Sequence, residues 1–515
     1  MATEVVQIGT PRLTSGLDRM FRLDLAAHLE IHGPFPRLTF RQLMAMAEQV
    51  DLRGRGGAAF PLARKMKAVS ESSNTDKSRT VVLVNAAEGE PASAKDTMLL
   101  IRSPHLVLGG ALLVGRALRA REIVVGVASG SPAAKSVLAA AAESGLKRQL
   151  RVVEVPDRFI SGEGGALVNA VNGRLPVPPG RKTRASSRGV DGLPTLLSNA
   201  ETFAQLAMLA LLGPEEYGRA GPENEPGTIL LTVSGSARKP AIVETPAGVP
   251  LGAILDLCEA NIGEGVLVGG YHGMWLPPAV AVNVGVSRLS MADAGGVLGA
   301  GIVAPLGAGT CPLGEVARVA SYLAGESAGQ CGPCKLGLPG VARALTALAD
   351  GSGGMDALET ARRSANAVRG RGACAHPDGT SRFVLSALNV FTDDVAAHVF
   401  HGSCGRPVRG VLPLESEEDQ PRLQVDWTRC EGHGLCAQLV PELIHIDRNG
   451  YPVFLDAPVP FWLRREAQQA VEMCPALALR LAQTQGPSQG QSGQPSLSIA
   501  QSGPTMLQLP AGKDD

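Results

Sequence analysis

Apolar residues in the first two hundred positions fall in short unbroken runs. Thr80-Val-Val-Leu-Val84, Glu122-Ile-Val-Val-Gly126 and Arg151-Val-Val-Glu-Val155 are rich in β-branched side chains and are separated by helical stretches, one of them near 105–119. Runs of this kind predict strands buried on both faces of a parallel α/β sheet, with helices as the crossovers. The pattern changes at Thr228-Ile-Leu-Leu-Thr-Val-Ser234 and Ala241-Ile-Val-Glu-Thr245, which flank a Lys239-Pro240 turn and predict a hairpin. A helix near 250–260 and the strand Gly265-Val-Leu-Val268 follow, giving a small mixed α+β domain. Ala/Leu periodicity over 341–348 and 355–368 predicts a mostly helical segment across 313–400. Asn449-Gly450 lies between Leu443-Ile-His-Ile446 and Tyr451-Pro-Val-Phe454 and predicts a hairpin inside a compact piece at 425–482.

Composition narrows the class. The chain has 515 residues, 44% hydrophobic and 19% charged, which reads as several globular domains. Lys+Arg and Asp+Glu both number 48, so there is no basic footprint and nucleic acid is not expected as a partner. The uncharged run 294–314 is interrupted by seven glycines and two prolines, so it predicts a buried strand with loops rather than a membrane helix. No secretory signal is visible in residues 1–30, so the chain is read as intracellular and soluble. From Gln483 onward the chain is rich in Gln, Gly, Ser and Pro and is expected to be a disordered tail.

Nine cysteines, an odd number at close spacings, point to metal or redox chemistry rather than a disulfide framework. Cys331-Gly-Pro-Cys334, with the distant Cys374 in Gly370-Arg-Gly-Ala-Cys-Ala-His376, can supply three thiolates to one iron–sulfur cluster, or to zinc. Cys430-Glu-Gly-His-Gly-Leu-Cys436 followed by Cys474-Pro475 follows the ferredoxin pattern with His433 in place of the middle cysteine. That set suits a 3Fe-4S cluster, or a 4Fe-4S cluster with a non-cysteine corner. A zinc-binding Cys/His module is the alternative.

Three glycine-rich loops are candidate ligand sites. Leu52-Arg-Gly-Arg-Gly-Gly-Ala-Ala-Phe-Pro61 precedes a helix carrying Lys65 and Lys67, and its bare backbone suits a phosphate or a flavin ring. Asn85-Ala-Ala-Glu-Gly-Glu-Pro91 leaves the end of a predicted parallel strand, where α/β folds bind ligands. Ser161-Gly-Glu-Gly-Gly-Ala166 follows the 151–155 strand in the same way.

Together these motifs resemble a known family. Arg53-Gly-Arg-Gly-Gly57 with Phe60-Pro61, Asn85-x-x-Glu-Gly-Glu-Pro91 with Lys95-Asp96, Gly162-Glu163, Pro194-Thr195 with Asn199-x-Glu-Thr202, and the three cysteines 331, 334 and 374 stand in the order of the 51 kDa flavoprotein subunit of NADH–quinone oxidoreductase. This resemblance covers residues 50–385. Residues 428–480 resemble the single-cluster ferredoxins that serve actinobacterial monooxygenases.

The resemblance implies an α/β fold class: a Rossmann-like FMN-binding domain at 36–225, a β-grasp (SLBB-like) domain at 226–305 and a helical iron–sulfur domain at 306–404. An N-terminal extension at 1–35 precedes them. A linker at 405–424, a ferredoxin-like α+β domain at 425–482 and the tail at 483–515 follow. Carried over by motif, Gly54, Gly56, Gly57, Lys65, Asn85, Gly162, Glu163 and Asn199 would line FMN. Glu90 and Phe60 would lie beside the NADH site, and Glu88 joins the cofactor-binding set. Cys331, Cys334 and Cys374 would hold a 4Fe-4S cluster, and Cys430, Cys436 and Cys474 the ferredoxin cluster. The family's fourth cysteine corresponds to Ala328, so Cys311, Cys404 or His376 becomes a candidate for the last bond. The family's acidic residue at Ala87 is absent, Gly164 replaces a glutamate, and Arg184 stands near an aromatic of the dinucleotide pocket, which opens NADPH as well as NADH as donor. The implied function is electron transfer from a reduced nicotinamide nucleotide through FMN to iron–sulfur clusters. The partner would be a redox protein or a larger complex, one that can be membrane-bound. The alternatives are a non-catalytic electron-carrier subunit with a degenerate nucleotide site, and a zinc-binding scaffold.

Overall fold

A computed structural model describes residues 4–180, 183–414, 421–441, 443–454, 459 and 463–482. The chain divides into a large unit that runs to Pro413, apart from residues 325–329, and a C-terminal unit that begins at Leu414.

The large unit contains two sheets and a helical region. The first sheet is four-stranded and all parallel, in the order Leu150–Val155, Ala120–Ala128, Thr80–Ala86, Thr195–Asn199. Its central Thr80–Ala86 strand is buried except at Asn85, as a β-branched run covered on both faces must be. Helices Pro104–Ala117 and Ala200–Gly218 pack together on it. Gly110 makes the close approach possible, because a Cβ there would overlap the Phe203 carbonyl. The Thr195–Asn199 strand carries little β-branched signal in Thr-Leu-Leu-Ser-Asn, and its parallel partner lies more than a hundred positions earlier.

The second sheet is mixed and six-stranded, in the order Glu4–Gln7, Ala241–Pro246, Thr228–Val233, Ile302–Leu306, Gly265–Val268, Met274–Leu276. The expected hairpin is present, with Thr228–Val233 antiparallel to Ala241–Pro246. The N-terminal segment is built into this sheet: Glu4–Gln7 runs parallel to Ala241–Pro246. Buried Glu244 holds the segment that follows. Its carboxylate accepts from the backbone N–H groups of Arg12, Leu13 and Thr14 and from the hydroxyls of Thr14 and Thr228.

Helices Pro312–Gly325, Leu338–Ala349, Gly354–Ala367, His376–Val390 and Thr392–His401 form the helical region. Of the segment read as a linker, residues 405–413 are strapped down by hydrogen bonds. Buried Glu315 accepts from the backbone N–H groups of Arg409, Gly410 and Val411, and the Tyr271 hydroxyl donates to the Pro413 carbonyl. Residues 415–420 lie outside the described residues, as does the tail from Gln483.

In the C-terminal unit, Ile444–Ile446 and Pro452–Phe454 form the expected antiparallel hairpin, between helices Leu435–Leu439 and Arg464–Glu472. Gly450 takes the positive φ of 88° that its turn requires. A second antiparallel pair, Arg422–Val425 with Leu479–Ala482, joins the two ends of the unit. Val440, Leu443, Ala467, Ala470 and Leu479 are in its core. Among the described residues no single helix is long and apolar enough to cross a membrane.

Candidate cofactor and cluster sites

The three glycine-rich loops meet. Gly54, Gly56, Gly57, Phe60, Lys65, Asn85, Glu88, Glu90, Gly162, Glu163 and Asn199 all line one cavity of about 550 Å³, within the usual ~300–1,000 Å³ of ligand pockets. The cavity opens at the C-terminal ends of Thr80–Ala86 and Thr195–Asn199, where a parallel sheet leaves space between its crossovers. The loop at 53–61 closes on itself through Gly54 N–H donating to the Phe60 carbonyl at 3.0 Å. Bare backbone is required here. A Cβ at Gly56 would stand 3.1 Å from Asn199 Cβ, and one at Gly162 would stand 2.9 Å from the Ala87 carbonyl oxygen.

Polar side chains are held in place around this cradle. Asn85 Nδ2 donates to the Gly162 carbonyl at 2.8 Å, tying two of the loops together. Glu163 and Asn199 cap the helices Gly164–Val171 and Ala200–Gly218. Lys65 Nζ donates to the Leu197 carbonyl at 3.1 Å, and burial lowers its pKa. The helix it sits on, Leu62–Asp76, begins at Pro61 with no side chain capping it, so its N-terminal end suits an anion. Lys67 is exposed and is not among the lining residues. Glu88 lines the cavity, but its carboxylate is taken up by the backbone N–H groups of Asp96 and Thr97, at 3.1 and 2.8 Å, at the start of the Lys95–Arg102 helix.

Glu90 is strongly perturbed by its place in the wall. Burial pushes its carboxyl up to about 8, against the favourable Tyr271 N–H at 3.2 Å, with Glu88 adding to the rise. Gly269 and Gly270, with φ of 85° and 87°, bring that N–H within reach. Beneath the cavity the motif residues Lys95, Asp96, Asn199 and Glu201 form a buried charge cluster. Lys95 Nζ pairs with Glu201 at 2.8 Å and with Asp96 at 3.3 Å, and Asn199 Nδ2 donates to Asp96 at 2.6 Å. Burial raises Asp96 to about 6 despite Lys95.

His272, His376 and Phe159 complete the wall on the helical side. His272 Nε2 and His376 Nδ1 are 3.1 Å apart, and His376 Nε2 is 2.8 Å from the Leu323 carbonyl. Burial lowers both imidazoles, His376 to about 4, so the pair is neutral. Both nitrogens of His376 are therefore occupied, which removes it as the fourth cluster ligand. His272 follows Gly269-Gly270 but carries no motif of its own. Arg184 does not line this cavity. Its neighbours Thr183 and Ala185 line a separate one, of about 750 Å³, with Arg174 and Arg188.

Cys374 belongs both to the cavity wall and to the thiol set, and it is close enough to feel Cys331 electrostatically. The Cys331 carbonyl accepts from the backbone N–H of Cys334 at 3.0 Å, just before the π-helical turn Pro333–Gly337. Cys334 is packed among Ala324, Leu338, Ala342 and Val368. Three thiols suit soft iron–sulfur ligation, although the Glu163 carboxylate is close enough to Cys374 to raise its pKa. Cys311 and Cys404, the other candidates for a fourth bond, group instead with His398. In the C-terminal unit Cys430, Cys436, Cys474 and His433 line one small cavity. The backbone at Gly432 and Gly434 bends there with φ of 71° and 73°.

Comparison with known proteins agrees with this layout. Family models match residues 47–208 (Nuo51 FMN-binding domain), 314–398 (NADH-ubiquinone oxidoreductase-F iron-sulfur binding region) and 423–481 (4Fe-4S single cluster domain). The F subunit of NADH-quinone oxidoreductase from Mycobacterium bovis is 27% identical over 385 residues, covering 70% of this chain and 85% of that protein. The mitochondrial NADH dehydrogenase [ubiquinone] flavoprotein 1 of Dictyostelium discoideum is 27% identical over 364 residues, covering 67% and 76%. A crystal structure of NAD+-reducing [NiFe]-hydrogenase shares the fold, with a TM-score of 0.69 at 24% identity, covering 78% of this chain and 68% of that one. Between residues 47 and 398 the chain is thus similar to the F-subunit flavoproteins of NADH-quinone oxidoreductase, and over 423–481 to a 4Fe-4S single cluster domain.

Proposed function

We propose that this chain is an electron-transfer oxidoreductase that takes electrons from a reduced nicotinamide nucleotide and passes them to iron–sulfur centres, one of them in its own fused ferredoxin domain. FMN would supply the conversion of a two-electron donation into single-electron steps. The chain's own residues bind and orient. Gly54, Gly56, Gly57 and Gly162 keep side chains out of the cradle. Lys65 and the start of the Leu62–Asp76 helix offer positive charge to a phosphate, and Asn85, Glu163 and Asn199 hold the loops in register. Phe60 and a protonated Glu90 would border the nicotinamide, and Glu88 keeps the floor helix anchored. Cys331, Cys334 and Cys374 would hold the first cluster. Cys430, Cys436 and Cys474 would hold the second, with His433 at its open corner.

The observation that carries this reading is the place of Cys374, the proposed cluster ligand, in the wall of the flavin-type cavity. An electron leaving the cavity meets a cluster ligand at its boundary. Fusion of the ferredoxin raises its effective concentration near that exit. The working partner is a larger electron-transfer complex, and attachment to a membrane at its cytoplasmic face would come through that partner. Anaerobic titration with NADH and with NADPH tests the proposal. Flavin absorbance should bleach with one of them and the iron–sulfur bands should follow. Absence of bleaching with both would remove the dehydrogenase role.

A further inference from the structure

Cys311, His398 and Cys404 converge at a point that neither the flavin-type cavity nor the two cluster sites use. Their two sulfurs and one imidazole nitrogen all lie within 4.8 Å of one another, and Cys311 Sγ is 3.3 Å from His398 Nε2. Tetrahedral zinc, with bonds of about 2.3 Å to sulfur and about 2.0–2.1 Å to nitrogen, places neighbouring ligand atoms roughly 3.5–3.8 Å apart. The three groups therefore need only small torsional adjustments to close on an ion.

The surroundings act both ways on the ligand forms, since burial pushes the Cys311 thiol up to about 11. The Cys404 backbone N–H donates to His398 Nε2 at 3.3 Å, which marks Nε2 as the unprotonated nitrogen, and an ion would have to displace that long hydrogen bond. Nδ1 is buried beside the Leu348 and Ala349 carbonyls, short of a well-aligned hydrogen bond. A carbonyl is the outer partner that a metal-bound imidazole commonly uses. The Gly314 N–H donates to Cys311 Sγ at 3.3 Å, which favours a thiolate. Arg406 lies against Cys404, but Asp394 and Glu264 already take up its charge. Cys311 and His398 are buried and Cys404 is half-buried, so the open side of the group faces outward past Cys404.

We propose that Cys311, His398 and Cys404 bind one zinc ion, with water in the fourth position. Two thiolates neutralise the dication, and their two protons leave to solvent as it binds. The ion would join the start of the Pro312–Gly325 helix, the end of the Thr392–His401 helix and the strap at 404–413. That strap is the last part of the large unit before the chain continues toward the ferredoxin domain. Zinc here would be structural, fixing where that connection departs.

The test uses the full chain, purified anaerobically from medium containing both metals. Metal analysis should give about one zinc per chain alongside the iron. X-ray absorption at the zinc edge should show two sulfurs near 2.3 Å and two nitrogen or oxygen atoms near 2.0–2.1 Å, values typical of about this ligand set. Cys404→Ser and His398→Gln should each lose most of the zinc and keep wild-type iron and sulfide. Zinc-free wild-type protein, a shell of three or four sulfurs, a shell with none, zinc retained in both variants, or a Cys311–Cys404 disulfide in its place would each overturn the proposal. Because the absorption measurement is made on wild-type protein, a variant that fails to fold does not decide the matter.

Discussion

Glu90→Gln should make the protein more stable, and the gain should grow with pH. In the folded chain the Glu90 carboxyl releases its proton near 8, against 4.5 ordinarily, because burial costs the charged form more than the Tyr271 N–H returns. Between those two values the folded chain keeps a proton that the unfolded chain has given up. Stability therefore falls by about 1.4 kcal/mol for each pH unit across that window, about 5 kcal/mol in all and about 3 kcal/mol by pH 7. Glutamine has nearly the same shape, can still accept from Tyr271 N–H and cannot ionise. Near pH 4.5 the variant and the parent should differ little, and by pH 8 the variant should lead by several kcal/mol. Glu88, the other acidic group facing Glu90, contributes to the difference, because its repulsion of the ionised carboxyl is absent from the glutamine variant. Urea denaturation midpoints at pH 5, 6, 7 and 8, with matched cofactor content, measure the difference. A difference that does not change with pH would refute the reasoning. The functional corollary is that Glu90 is mostly neutral at pH 7 and does not repel an anionic nucleotide. The nucleotide KM of the parent should rise above pH 8, and that of Glu90→Gln should not.

Lys65→Met removes the lysine amine from the cavity wall, and losing a charged hydrogen bond worth about 1.5–3 kcal/mol should weaken FMN binding roughly tenfold to 150-fold. Flavin release followed by fluorescence measures this, and a change under about threefold would remove Lys65 from the site. Cys374→Ser should lower the iron of one centre and leave the other, Cys436→Ser should do the reverse, and the double variant should lose both. Iron analysis with electron paramagnetic resonance on the reduced proteins separates the two. Glu315→Ala strands the N–H groups of Arg409, Gly410 and Val411 and should cost about 3–5 kcal/mol, with new protease cleavage within 405–413. Unchanged proteolysis would show that the strap is held by other contacts.

What could be read in the sequence was local chemistry. The β-branched run at 80–84 could only be a buried strand, and it extends two residues further, to Ala86. The glycines at 56 and 162 were legible because a Cβ there would crowd Asn199 or the Ala87 carbonyl, and Gly57 because its φ of 101° disfavours a side chain. What could not be read depends on partners far along the chain. Glu4–Gln7 is four residues long and becomes a strand only because Ala241–Pro246 offers it an edge. Thr195–Asn199 has weak propensity and is completed by its parallel neighbour Thr80–Ala86. His272 has no spacing relation to Phe159 or His376, yet their rings meet at 4.7 and 5.0 Å. Cys311 and Cys404 were visible as spare thiols, but about ninety positions separate them, and His398 is brought to them only by the packing of the helices.

The cavity is also more than a product of the parallel sheet. The loops at 53–61, 85–91 and 161–166 form its floor, as α/β topology alone would arrange. Glu90, however, is tuned by a backbone N–H from the mixed sheet, delivered through Gly269-Gly270. The far wall is His376 and Cys374, from the helical region. A Rossmann-like sheet without these neighbours could cradle a mononucleotide. It would lack the neutral carboxyl beside it and the thiol at its edge. In the proposed function, those two features would separate a flavin site that only binds from one that accepts electrons from an anionic nucleotide and passes them on. Both depend on segments that lie, in sequence, well beyond the domain that holds the cradle.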